Sequence, residues 1–120
     1  MAKSLRAVTA GSTPVSVLRL IEVAPVDFER LYGEIASFMS DAGAELPGVT
    51  ETQLFGSVDR TRIAILAHFR SHRDWVHAQW DARLGELLEE IVANSSAIDF
   101  NLYRADRFLA EPAKNGMAHS

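Results

Sequence analysis

Arg19 is the residue whose position most needs explaining. It stands between Leu18 and Leu20 in a β-rich stretch, 15–23, and shares a face with Val17 and Ile21. An isolated buried charge is very costly, so a guanidinium there requires a partner. Either it bridges across a sheet to Asp99 or Glu22, or it holds a phenolate or enolate oxygen in a cleft. His68, His72 and His77 lie close together in the chain. A metal ion needs convergent ligands, and a strand residue and two residues at a helix start do not converge, so no metal site is expected. His77 remains a candidate general base, since a neutral imidazole can take up an acidic phenolic proton. Its neighbours Arg73 and Asp81 also suit a solvated surface. Asn101 and Tyr103 share a strand face and, with Tyr32, offer an amide and two hydroxyls to a ligand, although a buried tyrosine more often bonds backbone. Trp75 and Trp80 can stack on a flat ligand. Trp80 lies on an apolar stripe and reads as core, whereas Trp75 is placed for a cleft mouth.

The elements that must position these residues alternate along the chain. Residues 15–23 form a strand bounded by Pro14 and Pro25. From 27 to 42, Phe28, Leu31, Ile35, Phe38 and Met39 recur on one face of a 3.6-residue period, a helix that Gly43 closes as a left-handed C′ residue. Residues 50–58 and 62–70 make a hairpin around Asp59-Arg60-Thr61. In its second arm Ile63, Ile65, Ala67 and Phe69 face one way and Ala64, Leu66 and His68 the other. Ser71 with Asp74 three residues on caps a second helix, expected to run to about Asn94 with Val76, Trp80, Leu84, Leu87, Leu88, Ile91 and Val92 at helical spacing. A last strand spans 100–109. The order β-α-β-β-α-β predicts an α+β, ferredoxin-like fold with an antiparallel four-stranded sheet at 15–110, between a flexible N-terminal arm (1–14) and a flexible C-terminal tail (111–120). Helices cover one face of such a sheet. Apolar residues on the other face call for a second copy, making a homodimeric α/β barrel.

Composition narrows the function classes. The 120 residues suit one domain, and 48% apolar with 23% charged residues argues against disorder. A net charge of −4 with scattered basic residues is wrong for a nucleic-acid footprint. No stretch reaches the roughly 18–20 apolar residues of a membrane span. No signal-peptide pattern opens the chain, and there is no cysteine, so disulfides and thiolate chemistry drop out and a cytoplasmic location is expected. No glycine-rich phosphate loop, Ser-His-Asp spacing or metal motif occurs, so no cofactor is expected.

The first strand, the helix opening near Pro25-Val-Asp-Phe28, the Pro47-Gly48-Val49 turn and the strand ending His68-Phe69 before Ser71-His-Arg-Asp-Trp75 resemble the antibiotic biosynthesis monooxygenase family. The resemblance covers about residues 15–110. It implies a dimeric α/β barrel, and it points to cofactor-independent oxygenation of an aromatic, polyketide-like small molecule by O₂ in secondary metabolism. Polyketide monooxygenases of this type often place an Asn and a Trp four apart on the third strand. The matching positions here are Ile65 and Phe69, substrate-facing candidates that lack the amide and the indole, and Asn101 is the strand amide available as a substitute. The haem-degrading branch uses a helix histidine, and His77 lies at no matching position. The expected substrate-binding set is thus Tyr32, Ile65, Phe69, Trp75, Trp80 and Tyr103, with Arg19, His77 and Asn101 as catalytic candidates. A polyketide cyclase or isomerase on the same fold, and a non-catalytic ligand-binding or accessory protein, are the alternatives.

Overall fold

The computed structural model describes residues 13–104. The elements run β1 (Val15–Glu22), α1 (Pro25–Ser40), a 3₁₀ turn (Ala42–Glu45), β2 (Val49–Gly56), β3 (Arg62–Phe69), α2 (His72–Ala78), α3 (Ala82–Ala93) and β4 (Ala97–Arg104). The four strands form one sheet in the order β2-β3-β1-β4, every neighbouring pair antiparallel. This is the ferredoxin-like α+β fold expected from the pattern of elements. The arm at 1–12 and the chain from 105 onward, including the expected last residues of the final strand and the tail, lie outside the described residues.

Side-chain alternation divides the sheet into two faces. Val17 pairs with Ala67 and Leu102, and Ile21 with Ile63 and Ile98, which puts these residues on the face beneath the helices. Helix α1 opens with Pro25, whose fixed φ and missing N–H suit the first turn, and presses Phe28, Leu31 and Ile35 onto that face. Helix α3 adds Leu84 and Ile91. The buried side chains fall into two clusters, one around Ile21, Leu31, Ile35, Ile63 and Ile91 and one around Val15, Val17, Leu46, Phe69, Ala78 and Leu84. The opposite face carries Leu18, Leu20, Phe55, Ala64 and Leu66, and Leu20 and Phe55 are 44% and 51% exposed there. On that same face the His68 ring sits 2.7 Å from the Ser16 hydroxyl.

Three local expectations are corrected. The single helix expected over 71–94 is two helices, because Asp81 has an extended backbone (ψ 122°) and its carboxylate accepts from the Arg83 and Leu84 N–H groups. A side chain that caps the next helix competes with continuing the previous one. Trp80, in the break, is 80% exposed and not core, and Val92 is exposed as well. Gly43 is not a left-handed C′ residue: it lies buried in the 3₁₀ turn, where a Cβ would stand 3.1 Å from the Phe38 carbonyl oxygen. The left-handed glycine is Gly48 (φ 72°). Finally, the last strand begins at Ala97, three residues before the expected start.

At Gly48 a Cβ would also overlap Asp74 at the start of α2. Gly48→Ala is therefore expected to lower stability by at least about 1–2 kcal/mol from backbone strain alone, read as a lower urea midpoint with an unchanged slope.

Candidate functional site

Where the two core clusters meet, the inner face of the sheet and the helices leave a cleft. Strand β1 supplies Val17 and Arg19, β2 supplies Thr52, and β3 supplies Ile65, Ala67 and Phe69. Above them lie Ile35, Phe38 and Met39 of α1, Trp75 at the middle of α2 with Gln79 at its end, and the apolar stripe of α3. The empty space between these atoms is about 610 Å³ with the mouth included. This slot is walled chiefly by apolar side chains.

The break between the helices is what positions the upper wall. Helix α2 starts where the Ser71 hydroxyl accepts the Asp74 N–H at 3.0 Å, and Arg70 pairs with the Asp74 carboxylate at 3.3 Å. One turn is enough to bring Trp75 over the sheet, where its ring lies 6.2 Å from that of Phe100 at 21°. The Gln79 amide donates to the Trp75 carbonyl at 3.0 Å and closes the short helix. The slot is thus roofed by an indole held at both ends of its own helix.

Among the described residues Arg19 is the one charged group that lines the cleft. No salt bridge to Asp99 or Glu22 forms, since Asp99 is paired with Leu20 on the opposite face and Glu22 is exposed. Arg19 faces the helices, its neighbours in register are Ile65 and Phe100, and its guanidinium carbon lies 4.6 Å from the centre of the Phe100 ring. Among the described residues it has no carboxylate and no hydrogen-bond acceptor. Burial pushes its pKa down from the ordinary arginine value, which marks a charge that is desolvated and not compensated. The group nevertheless stays protonated, as arginine does in proteins.

The other expected site residues divide cleanly. Ile65, Phe69 and Trp75 line the cleft with Arg19. His77 is exposed on α2 and does not line it. Asn101 and Tyr103 pair with Leu18 and Ser16 and so stand on the opposite face of the sheet, because residues in register share a face. Trp80 points to solvent, and Tyr32 is spent against Phe28, the two rings 5.5 Å apart. Two polar residues that motif reasoning missed do line the slot, Thr52 and Gln79. Alternation from Leu54 puts Thr52 on the inner face, but only the sheet order sets that face beside Arg19. The Thr52 hydroxyl has no partner among the described residues.

An uncompensated charge contributes to binding at the expense of folding. Arg19→Met, which keeps the length and removes the charge, is expected to raise stability by roughly 1 kcal/mol despite the lost ring contact. Thermal unfolding of the two proteins at equal concentration measures this.

Comparison with solved structures places the fold. SnoaB, described as a cofactor-independent oxygenase from Streptomyces nogalater, aligns with a TM-score of 0.64 at 21% identity, over 81% of this chain and 97% of that one. Rv0793 from Mycobacterium tuberculosis aligns with a TM-score of 0.71 at 12% identity, over 81% of this chain and 99% of that one. A protein from Nitrosomonas europaea described as a putative antibiotic biosynthesis monooxygenase gives 0.69 at 12% identity, over 79% and 92%. No family model matches the chain, and no curated protein sequence does. At these identities the likeness is one of architecture: the chain has the fold of SnoaB and of the proteins described as antibiotic biosynthesis monooxygenases, to which its sequence bears the resemblance noted above.

Proposed function

We propose that the protein is a cofactor-independent monooxygenase that oxidises an electron-rich aromatic, polyketide-like small molecule with O₂. The observation that carries this reading is the pairing of an apolar slot with a guanidinium at its wall that has no partner among the described residues. A slot of that kind removes water from a flat ring, and a fixed cation stabilises the oxyanion that the ring acquires on ionisation. The fold shared with an oxygenase described as cofactor-independent supports the same reading.

The chemistry balances without a bound redox group. A ring CH₂ conjugated through the ring system to a carbonyl loses a proton to water and becomes an enolate whose oxygen Arg19 holds. The anion passes one electron to O₂, and the radical pair closes a C–O bond to give a peroxide anion. That anion takes up a proton. Loss of the second C–H proton with cleavage of the O–O bond leaves a carbonyl, and the departing hydroxide takes a proton to become water. In sum, CH₂ and O₂ become C=O and H₂O, the substrate supplying every electron. Trp75 and Phe69 hold the ring flat while this occurs. A cleft filled by Ile65, Phe69 and Trp80 would have favoured the accessory-protein alternative; the cleft holds open space and Trp80 is outside it.

Oxygen uptake by metal-free protein offered dithranol, against a protein-free control, tests the reading. Protein-dependent uptake is expected, falling about 10- to 100-fold in Arg19→Ala and clearly in Trp75→Ala. Uptake no faster than autoxidation, from folded protein, would remove the oxygenase reading.

The proposal extends to a homodimer, with the exposed apolar face of the sheet covered by its counterpart in a second copy. Sedimentation is expected to give twice the chain mass, and Leu20→Arg, a charge placed on that face without disturbing the core beneath the helices, to give the monomer. A wild-type monomer at micromolar concentration would overturn this.

A further inference from the structure

The groups that line the slot determine who removes the first proton. A base must stand within hydrogen-bond reach of the proton it takes. Among the described residues the polar side chains lining the cleft are Arg19, Thr52, Trp75 and Gln79, and none of them accepts a proton near neutral pH. The imidazoles among the described residues are elsewhere: His68 is on the opposite face of the sheet with Ser16, and His72 and His77 are exposed on α2 and do not line the cleft. Among the described residues no carboxylate lines it either, and Asp74, the acid in the first turn of α2, is paired with Arg70. What the slot does contain is a cation without a counter-ion among the described residues.

We infer that the slot selects its substrate as an anion: a flat aromatic enol or phenol acidic enough to lose its proton to water, whose oxyanion becomes the missing counter-ion of Arg19. The protein then contributes charge stabilisation and desolvation, and no proton abstraction. Arg19 sets specificity by charge, since a neutral ligand of the same shape leaves the guanidinium desolvated and unpaired, while an anion relieves both. Its present neighbour, the face of Phe100, is a weak substitute for that anion. The inference rests on the oxygenase reading for its kinetic consequence but not for its binding consequence, so the two can fail separately.

Calorimetric titration with anthracene-9-carboxylate and with the neutral anthracene-9-carboxamide tests the binding consequence. The anion is expected to bind about 10- to 100-fold more tightly, the gain of one charge-assisted contact. Arg19→Met should abolish the preference and Arg19→Lys keep part of it. Equal affinity for the two ligands in the wild type would overturn the inference. The kinetic consequence is read from kcat/KM for oxygen uptake against pH, with anthrone and the more acidic dithranol as substrates. The profile should rise with pH for both, with midpoints separated as the ionisation constants of the two free substrates are. One midpoint common to both would identify a protein base and overturn the inference while leaving the oxygenase in place. Anion-selective binding without oxygen uptake would do the reverse, sinking the oxygenase and keeping the anion site.

Discussion

A sheet with apolar side chains on both faces must be covered twice, and the helices of this chain cover one face, incompletely. The inner face is closed where α1 lies on it, through Ile21, Leu31, Ile35 and Ile63, all fully buried. It is not closed toward β4, where Ile98 and Phe100 remain 39% and 40% exposed although their register partners Ile21 and Arg19 face the helices. That shortfall follows from length. With α2 ending at Ala78 and α3 starting at Ala82, neither helix is long or straight enough to seal the sheet from end to end. The slot lies apart from that gap, over β1, β2 and β3 beneath the helices, and none of the described residues of β4 lines it.

Within that space the distribution of polarity is uneven in a way that packing alone does not require. A slot walled by isoleucine, leucine and phenylalanine is more stable without an arginine in it, and a methionine would fill the same length. Features that cost stability and have no structural partner are where function is usually found. The outer face gives the contrasting case. There Ser16 and His68 satisfy each other across two strands. The same sheet thus carries a settled polar pair on one side and an unsettled charge on the other, which is why the chemistry is assigned to the helix side.

The helix side also explains why motifs were a poor guide. The candidates picked for chemical type, His77, Asn101, Tyr103 and Trp80, are good ligand groups that the fold directs elsewhere. Asn101 and Tyr103 were correctly given one face, but the choice between two faces depends on which residues of β1 they meet, and that is set by register. Trp80 kept perfect helical spacing with Val76 and Leu84, and spacing cannot report that Asp81 would cap a new helix and turn the indole outward.

Period and punctuation in the sequence were sufficient to determine the order of elements, the two-faced third strand, the hairpin at 59–61 and the inward side of Arg19, because each depends on alternation or turn chemistry within a few residues. Sheet order, the split of the second helix, the left-handed conformation at Gly48 and the neighbours of Arg19 were decided by tertiary structure. They depend on distant segments competing for the same apolar surface: Phe100 reaches Arg19 across 81 residues of chain only because β4 docks beside β1. Thr52 enters the site for the same reason, since one strand's alternation gives it a side but only the docked sheet gives that side a neighbour.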